Sequence, residues 1–193
     1  MKLGITGGIC CGKTTALEIF SRYGFETINL DEYVREALRG NERVKSGIRA
    51  NFGSSCVDSG GDVLVKNLGK LIFERQDARK ILEKMVYAEI DTLWTGDVTA
   101  PTAIEVPLLF ENNLEGYFSS TICVYSPYAE QLSRSIVFRR WGDDELRKRM
   151  AAQLPMREKI RRADFAIGNC GTKLQFERQI QLLLEKVIAA AGK

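Results

Sequence analysis

Apolar and polar positions divide this chain into short apolar runs separated by longer stretches of helical periodicity. Residues 2–6 (KLGIT) are apolar and feed a Gly-rich stretch, the pattern of a buried strand entering a loop. Residues 13–22 (KTTALEIFSR) predict a helix, with Gly24 as its stop signal. Residues 26–30 (ETINL) predict a second strand. Asp31 follows, placed to cap a helix that carries Tyr33, Val34 and Leu38. From about 41 to 96 the chain reads as mainly helical. The signal is clearest over 77–94, where Ile81, Leu82, Met85, Val86 and Ile90 recur at helical spacing. A Gly-rich turn at 54–62 (SSCVDSGGD) interrupts it. Strand character returns at 102–106 and 120–125. Helices are predicted at 127–138 and 143–153, and a short strand at 165–167. A last helix over 172–190 aligns Phe176, Ile180, Leu183, Leu184, Val187 and Ile188 on one side. Strands alternating with helices predict an α/β protein built on a central parallel sheet.

Composition narrows the chemistry. At 193 residues and 45% apolar content, the chain suits a single core that needs no disulfide or structural metal. No run approaches the 18 apolar residues of a membrane span. The chain has no His, which excludes a His-based triad, a His zinc ligand and a His general base. The five Cys (Cys10, Cys11, Cys56, Cys123, Cys170) lack CxxC spacing, and no secretory leader is evident. A reducing, cytoplasmic location is expected. Net charge is only +3, but residues 134–162 hold ten basic and four acidic side chains. The positive field is therefore local. A nucleic-acid partner is not expected on so mild a charge.

The strongest chemical signal is Gly7-Gly8-Ile9-Cys10-Cys11-Gly12-Lys13-Thr14, which fits GxxxxGK[ST] in full. Glycines let a loop wrap so that backbone N–H groups face phosphate oxygens, and the following helix offers its positive end to the same anion. Residues Gly8, Ile9, Cys10, Cys11, Gly12, Lys13, Thr14 and Thr15 are the expected ATP-binding set. Lys13 is expected to reach the β- and γ-phosphates, and Thr14 to hold Mg²⁺. Cys10 and Cys11 read as small loop residues rather than redox sensors, although a helix N-terminus can lower a thiol pKa. Asp31, at the carboxyl end of the second strand, is either a helix cap or a base for an attacking hydroxyl. Arg35, one turn on, can pair with it or grip a phosphate. Glu105 reads equally as a Walker-B-like acid or a strand-end charge. Trp94, Trp141, Phe52 and Phe73 read as packing residues, and Cys123 and Cys170 as structural thiols.

GITGGICCGKTT, NLDEYVR, VPLLFE (106–111), QLSR (131–134), AAQ (151–153) and ADFAIGNCG (163–171) follow in this order. Together they resemble the dephospho-coenzyme A kinase family over essentially the whole chain. The resemblance implies a P-loop kinase core with a helical substrate domain near 62–96 and a basic lid near 139–160. It implies transfer of the ATP γ-phosphoryl group to the ribose 3′-hydroxyl of dephospho-coenzyme A, with Mg²⁺. It assigns Asp31 as base and Arg35 as its basic companion. Pro107, Leu108, Leu109 and Glu111 fall on the acceptor side, and Asn169 near the adenine. The sequence departs from the family at Asn29 (an Asp there), Tyr87-Ala88 (His-Pro), Gly168 (Asp) and Phe138 (the lid Arg). Arg139 and Arg140 follow Phe138 at once and are the expected lid arginines on the transferred phosphoryl group. Most of the other basic residues of the stretch read as solvated, as in a Glu145–Arg149 pair. Another small-molecule or nucleotide kinase, or a non-catalytic nucleotide switch, stays open as the alternative, although no NKxD run favours GTP.

Overall fold

A computed structural model describes residues 1–191, except the side chains at positions 79, 83, 87–89, 92, 94 and 190–191. The Tyr87-Ala88 departure and the packing role of Trp94 therefore lie outside the described residues. The chain divides into two compact units, Met1–Leu30 with Asp97–Lys193, and Asp31–Gly96.

The first unit is the predicted α/β core. Strands β1 (Lys2–Gly7), β2 (Glu26–Asn29), β3 (Thr102–Glu105), β4 (Ser120–Tyr125) and β5 (Phe165–Gly168) form one sheet in the order β2-β3-β1-β4-β5. Every pairing is parallel. β1 is buried along its whole length, as an internal parallel strand must be. Leu3, Ile5, Ile19, Phe20, Ile122, Val124, Phe176 and Ile180 anchor a core between the sheet, α1 (Lys13–Arg22) and α9 (Lys173–Ala191). The chain leaves β1 toward β2 on one side and continues from β3 to β4 on the other, so β1 sits where the winding reverses. Ligands of such sheets bind beyond the carboxyl ends of the strands at that point. After β4 come α6 (Tyr128–Arg139), α7 (Asp143–Ala151) and α8 (Met156–Arg162). The sequence reading has no counterpart for α8, a helix of seven residues opening behind Pro155. It is too short to establish a period.

The second unit is helical. It holds α2 (Leu30–Gly40) from Asp31 on, α3 (Glu42–Phe52), α4 (Val65–Glu74) and α5 (Gln76–Thr95). The expected insertion at 62–96 covers only its later part. Val44, Ile48, Leu68, Leu82, Val86 and Ile90 are buried there. The Gly-rich turn is built on Asp58, whose carboxylate accepts from the N–H groups of Gly60 and Asp62 at 2.9 Å each, while Val57 and Val63 bridge its base. Three packing expectations are corrected. Phe73 is 80% exposed, Ile188 is exposed, and Cys170 is a surface thiol. Among the described residues no helix is long and apolar enough to cross a membrane.

Candidate active site

The loop between β1 and α1 is shaped by two left-handed residues, Cys10 (φ 56°) and Gly12 (φ 93°). Mixed-hand backbone of this kind turns successive N–H groups toward one concavity. α1 begins at Lys13 without a side-chain cap and without an acidic residue in its first turn, which leaves its positive end to an anion. Lys13 Nζ donates to the Gly8 carbonyl at 3.0 Å, folding the ammonium back over the loop. A Cβ on Gly12 would lie 2.2 Å from Asn169 Nδ2, so the loop and the segment after β5 are in close contact.

Behind the loop is a carboxylate. Thr14 Oγ1 and Asn29 Nδ2 each donate to Glu105 Oε2 at 3.0 Å. The strand register pairs Asn29 with Glu105 and Glu105 with Ile5, which brings the ends of β2, β3 and β1 together. Glu105 is buried, so it is not a surface charge at a strand end.

A second wall comes from the ends of β4 and β5. Asn169 Nδ2 donates to the Cys11 carbonyl at 3.0 Å, and Ser126 Oγ donates to the Asn169 carbonyl at 2.8 Å. Arg134, on α6, joins all three segments. Its guanidinium donates to the carbonyls of Cys10 (3.3 Å) and Asn169 (2.9 Å), to Ser126 Oγ (2.9 Å) and to Glu130 (3.3 Å). Arg134 therefore ties the loop to the segments that follow β4 and β5. The sequence reading placed it only within QLSR and the basic 134–162 stretch and did not see Ser126. The available signal was the Gln131–Arg134 spacing in QLSR, which sets both on one helix face; Gln131 Nε2 donates to the Ser126 carbonyl at 2.9 Å.

Burial pushes the Cys10 pKa up despite the Arg139, Lys13 and Arg134 charges, and does the same to Cys11.

In the segment after β3, Pro107 and Leu108 are partly exposed, whereas Leu109 is fully buried and packs in the core. The Glu111 carboxylate pairs with Lys159 Nζ at 2.8 Å and accepts the Leu154 N–H at 2.9 Å. Leu109 and Glu111 thus shape the segment from inside. Asp31 and Arg35 are exposed on α2. That helix starts at Leu30, so Asp31 stands within its first turn rather than at its cap. Arg139 and Arg140 are exposed at the end of α6, where Arg140 (φ 58°) terminates the helix. Trp141 packs between two cations, Arg139 at 5.8 Å and Arg149 at 4.1 Å from its ring centroid. Arg147, Arg149 and Arg161 are engaged by Asp143, Glu145 and Glu158.

The dephospho-CoA kinase family model matches residues 1–175. The chain belongs to the dephospho-CoA kinase family. It is 33% identical to the dephospho-CoA kinase of Latilactobacillus sakei, with 98% of this chain and 97% of that one covered. It is 31% identical to that of Geobacillus kaustophilus, with 96% of each covered. A Thermus thermophilus protein of known structure, 28% identical, superposes with a TM-score of 0.82 over 96% of this chain and 97% of that one. The five-stranded parallel sheet with its phosphate loop is the P-loop kinase fold of this family, and the chain is a kinase.

Two family departures acquire a local explanation. A Cβ on Gly168 would lie 3.1 Å from the Tyr125 hydroxyl, so the Tyr125 ring occupies the space beside position 168. The backbone of Gly168 is held by Gln179, which accepts from its N–H at 3.3 Å and donates to its carbonyl at 2.9 Å. Asn29 is integrated through Glu105, as described above.

Proposed function

We propose that the chain transfers the γ-phosphoryl group of ATP to the ribose 3′-hydroxyl of dephospho-coenzyme A, giving coenzyme A and ADP. The observation that carries this reading is a complete phosphate loop, braced by Arg134 and Asn169, in a chain of the dephospho-CoA kinase family. The loop amides and the end of α1 bind the phosphates. Lys13 neutralises charge on the β- and γ-phosphates. Asn169, beside Gly12, belongs to the adenine end of the site. Thr14 and Glu105 present hard oxygen donors at the loop, a set that fits Mg²⁺, with Thr14 as direct ligand. When bound with ATP, the metal supplies charge neutralisation to the phosphates.

Asp31 accepts the proton of the 3′-hydroxyl. The new O–P bond forms at that oxygen as the bond from the γ-phosphorus to the bridging oxygen breaks, and the electron pair leaves with ADP. Arg35 holds the acceptor phosphate. Pro107 and Leu108 border the acceptor. The α2–α5 unit serves as the acceptor-binding domain, and the 139–160 stretch serves as a lid that excludes water, with Arg139 or Arg140 on the moving phosphoryl group. The reaction takes place in the cytoplasm and involves neither nucleic acid nor membrane.

Mass spectrometry of products from Mg-ATP and dephospho-coenzyme A tests this. The expected outcome is coenzyme A that appears with turnover and is absent in Lys13→Ala. ATP binding without coenzyme A formation would overturn the acceptor assignment, and a screen of other hydroxyl acceptors would follow.

A further inference from the structure

Lys159 is the one basic residue of the 134–162 stretch that is buried, at 1% exposure. A buried ammonium is costly unless every proton finds an acceptor. Its Nζ donates to the Pro107 carbonyl at 3.1 Å and to Gln153 Oε1 at 3.3 Å, and it pairs with the Glu111 carboxylate at 2.8 Å, so three oxygens surround the charge. The Pro107 carbonyl also accepts from Thr6 Oγ1 at 3.3 Å, and Thr6 is the residue before Gly7, where the phosphate loop begins. The 106–111 segment is thus gripped from β1 at one end and from α8 at the other. Met156, three residues before Lys159 and on the same face of α8, lies against the loop itself: a Cβ on Gly8 would fall 2.4 Å from Met156 Cε. One face of a short helix therefore touches the phosphate loop and the segment after β3 at once.

We propose that Lys159 is a positioning residue for the acceptor: by holding the Pro107 carbonyl and Glu111 together against α8, it fixes the 106–110 backbone in register with the phosphate loop. This rests on the reading that Pro107 and Leu108 border the acceptor. A residue that merely balances the Glu111 charge would be replaceable by any neutral pair. A residue that positions the segment is not, because without a donor at 159 the Pro107 carbonyl keeps only its bond from Thr6 and loses its tie to α8.

The test compares Lys159→Met, Glu111→Gln and the double variant with the wild-type enzyme. The double variant removes both charges and so keeps the fold accessible without a buried unpaired ion. Two readouts are taken. The first is hydrogen exchange of the 106–111 amides in the apo protein, which needs no knowledge of the acceptor. The second is steady-state kinetics with calorimetric ATP binding. The expected result is faster exchange confined to 106–111 in Lys159→Met and in the double variant. Alongside it, KM for dephospho-coenzyme A should rise about tenfold while ATP affinity stays within about twofold. Unchanged exchange at 106–111 in a folded double variant overturns the positioning role, whatever the acceptor. Faster exchange with an unchanged acceptor KM overturns instead the claim that this segment serves the acceptor. Failure of the wild-type enzyme to make coenzyme A refutes the proposed reaction, and the exchange readout still decides the role of Lys159.

Discussion

Gly12→Ala probes the joint between the phosphate loop and Asn169. Gly12 sits at φ 93° and ψ 32°, in the left-handed region. Placing a Cβ there costs about 1–2 kcal/mol from backbone crowding alone. The new methyl would also lie 2.2 Å from Asn169 Nδ2, far inside contact distance, so the amide must swing away. In doing so it gives up its 3.0 Å bond to the Cys11 carbonyl, worth about 1 kcal/mol. The total is about 2–3 kcal/mol. For a domain of this size that lowers Tm by about 4–12 °C.

The decomposition is itself testable. Asn169→Ala alone loses only the Cys11 bond, about 1 kcal/mol. In the double variant the bond is already absent and the methyl has room, so only the backbone cost and one lost bond remain. The two single losses should therefore exceed the double loss by about 1 kcal/mol. Urea unfolding followed by circular dichroism measures all three, and calorimetry with ATP reports whether the loop still binds. Additive losses, within about 0.5 kcal/mol, would refute the claim that Gly12 and Asn169 compete for one space.

Asp31→Asn is expected to retain ATP binding by calorimetry and to lose phosphoryl transfer; retained transfer would leave Asp31 as a first-turn charge only. Alanine at both Arg139 and Arg140 should lower kcat by about 10³-fold, the scale of a transition-state arginine, with ATP affinity little changed; near-normal turnover removes both from that role. Asn29→Asp should destabilise the protein progressively as pH rises through the carboxylate range, seen as a urea midpoint that falls from pH 4 to 8 relative to the native chain. Burial pushes the Cys123 thiol from 9.0 up to about 12. Between those values the unfolded chain gives up this proton and the native state keeps it. Stability is thus full below pH 9 and falls above it, and Cys123→Ala should flatten the fall. In native labelling Cys170 should react first.

What was legible in the sequence was local. The phosphate loop follows from fixed spacing, and β4, α1 and the alternation of strands and helices follow from periodicity over a few residues. Lys13 and Thr14 could be placed because their roles depend on neighbours in sequence. The supports could not. Ser126, Arg134 and Asn169 meet only because β4 and β5 lie beside β1 in the sheet, an order that periodicity does not encode. Lys159 was one undistinguished cation of the basic stretch, because the sequence shows its charge and not the three oxygens that surround it. Glu111 is placed on the acceptor side by the resemblance alone, which does not show its contacts with Lys159 and the Leu154 N–H. α2 was read two residues late because ETINL has strand composition up to Leu30, where the helix already begins. Phe73 and Ile188 are apolar side chains that the sequence reads as packed and that the fold leaves largely exposed.

The Asn29 departure is best understood through the strand register. Position 29 faces Glu105 across β2 and β3, and Asn29 Nδ2 donates to the same oxygen that accepts from Thr14. An Asp at 29 would set a second carboxylate about a hydrogen-bond length from a buried one, and like charges at that separation cannot both ionise without cost. With Asn, a donor replaces the repulsion and the site carries one carboxylate aimed at the Thr14 hydroxyl. The carboxylate at the loop then comes from β3, and the end of β2 contributes a hydrogen-bond donor instead. Loss of the first Asp of the family motif is therefore not loss of the acidic element behind the loop. Asp31, two residues further on, is left as the sole carboxylate of the NLD run.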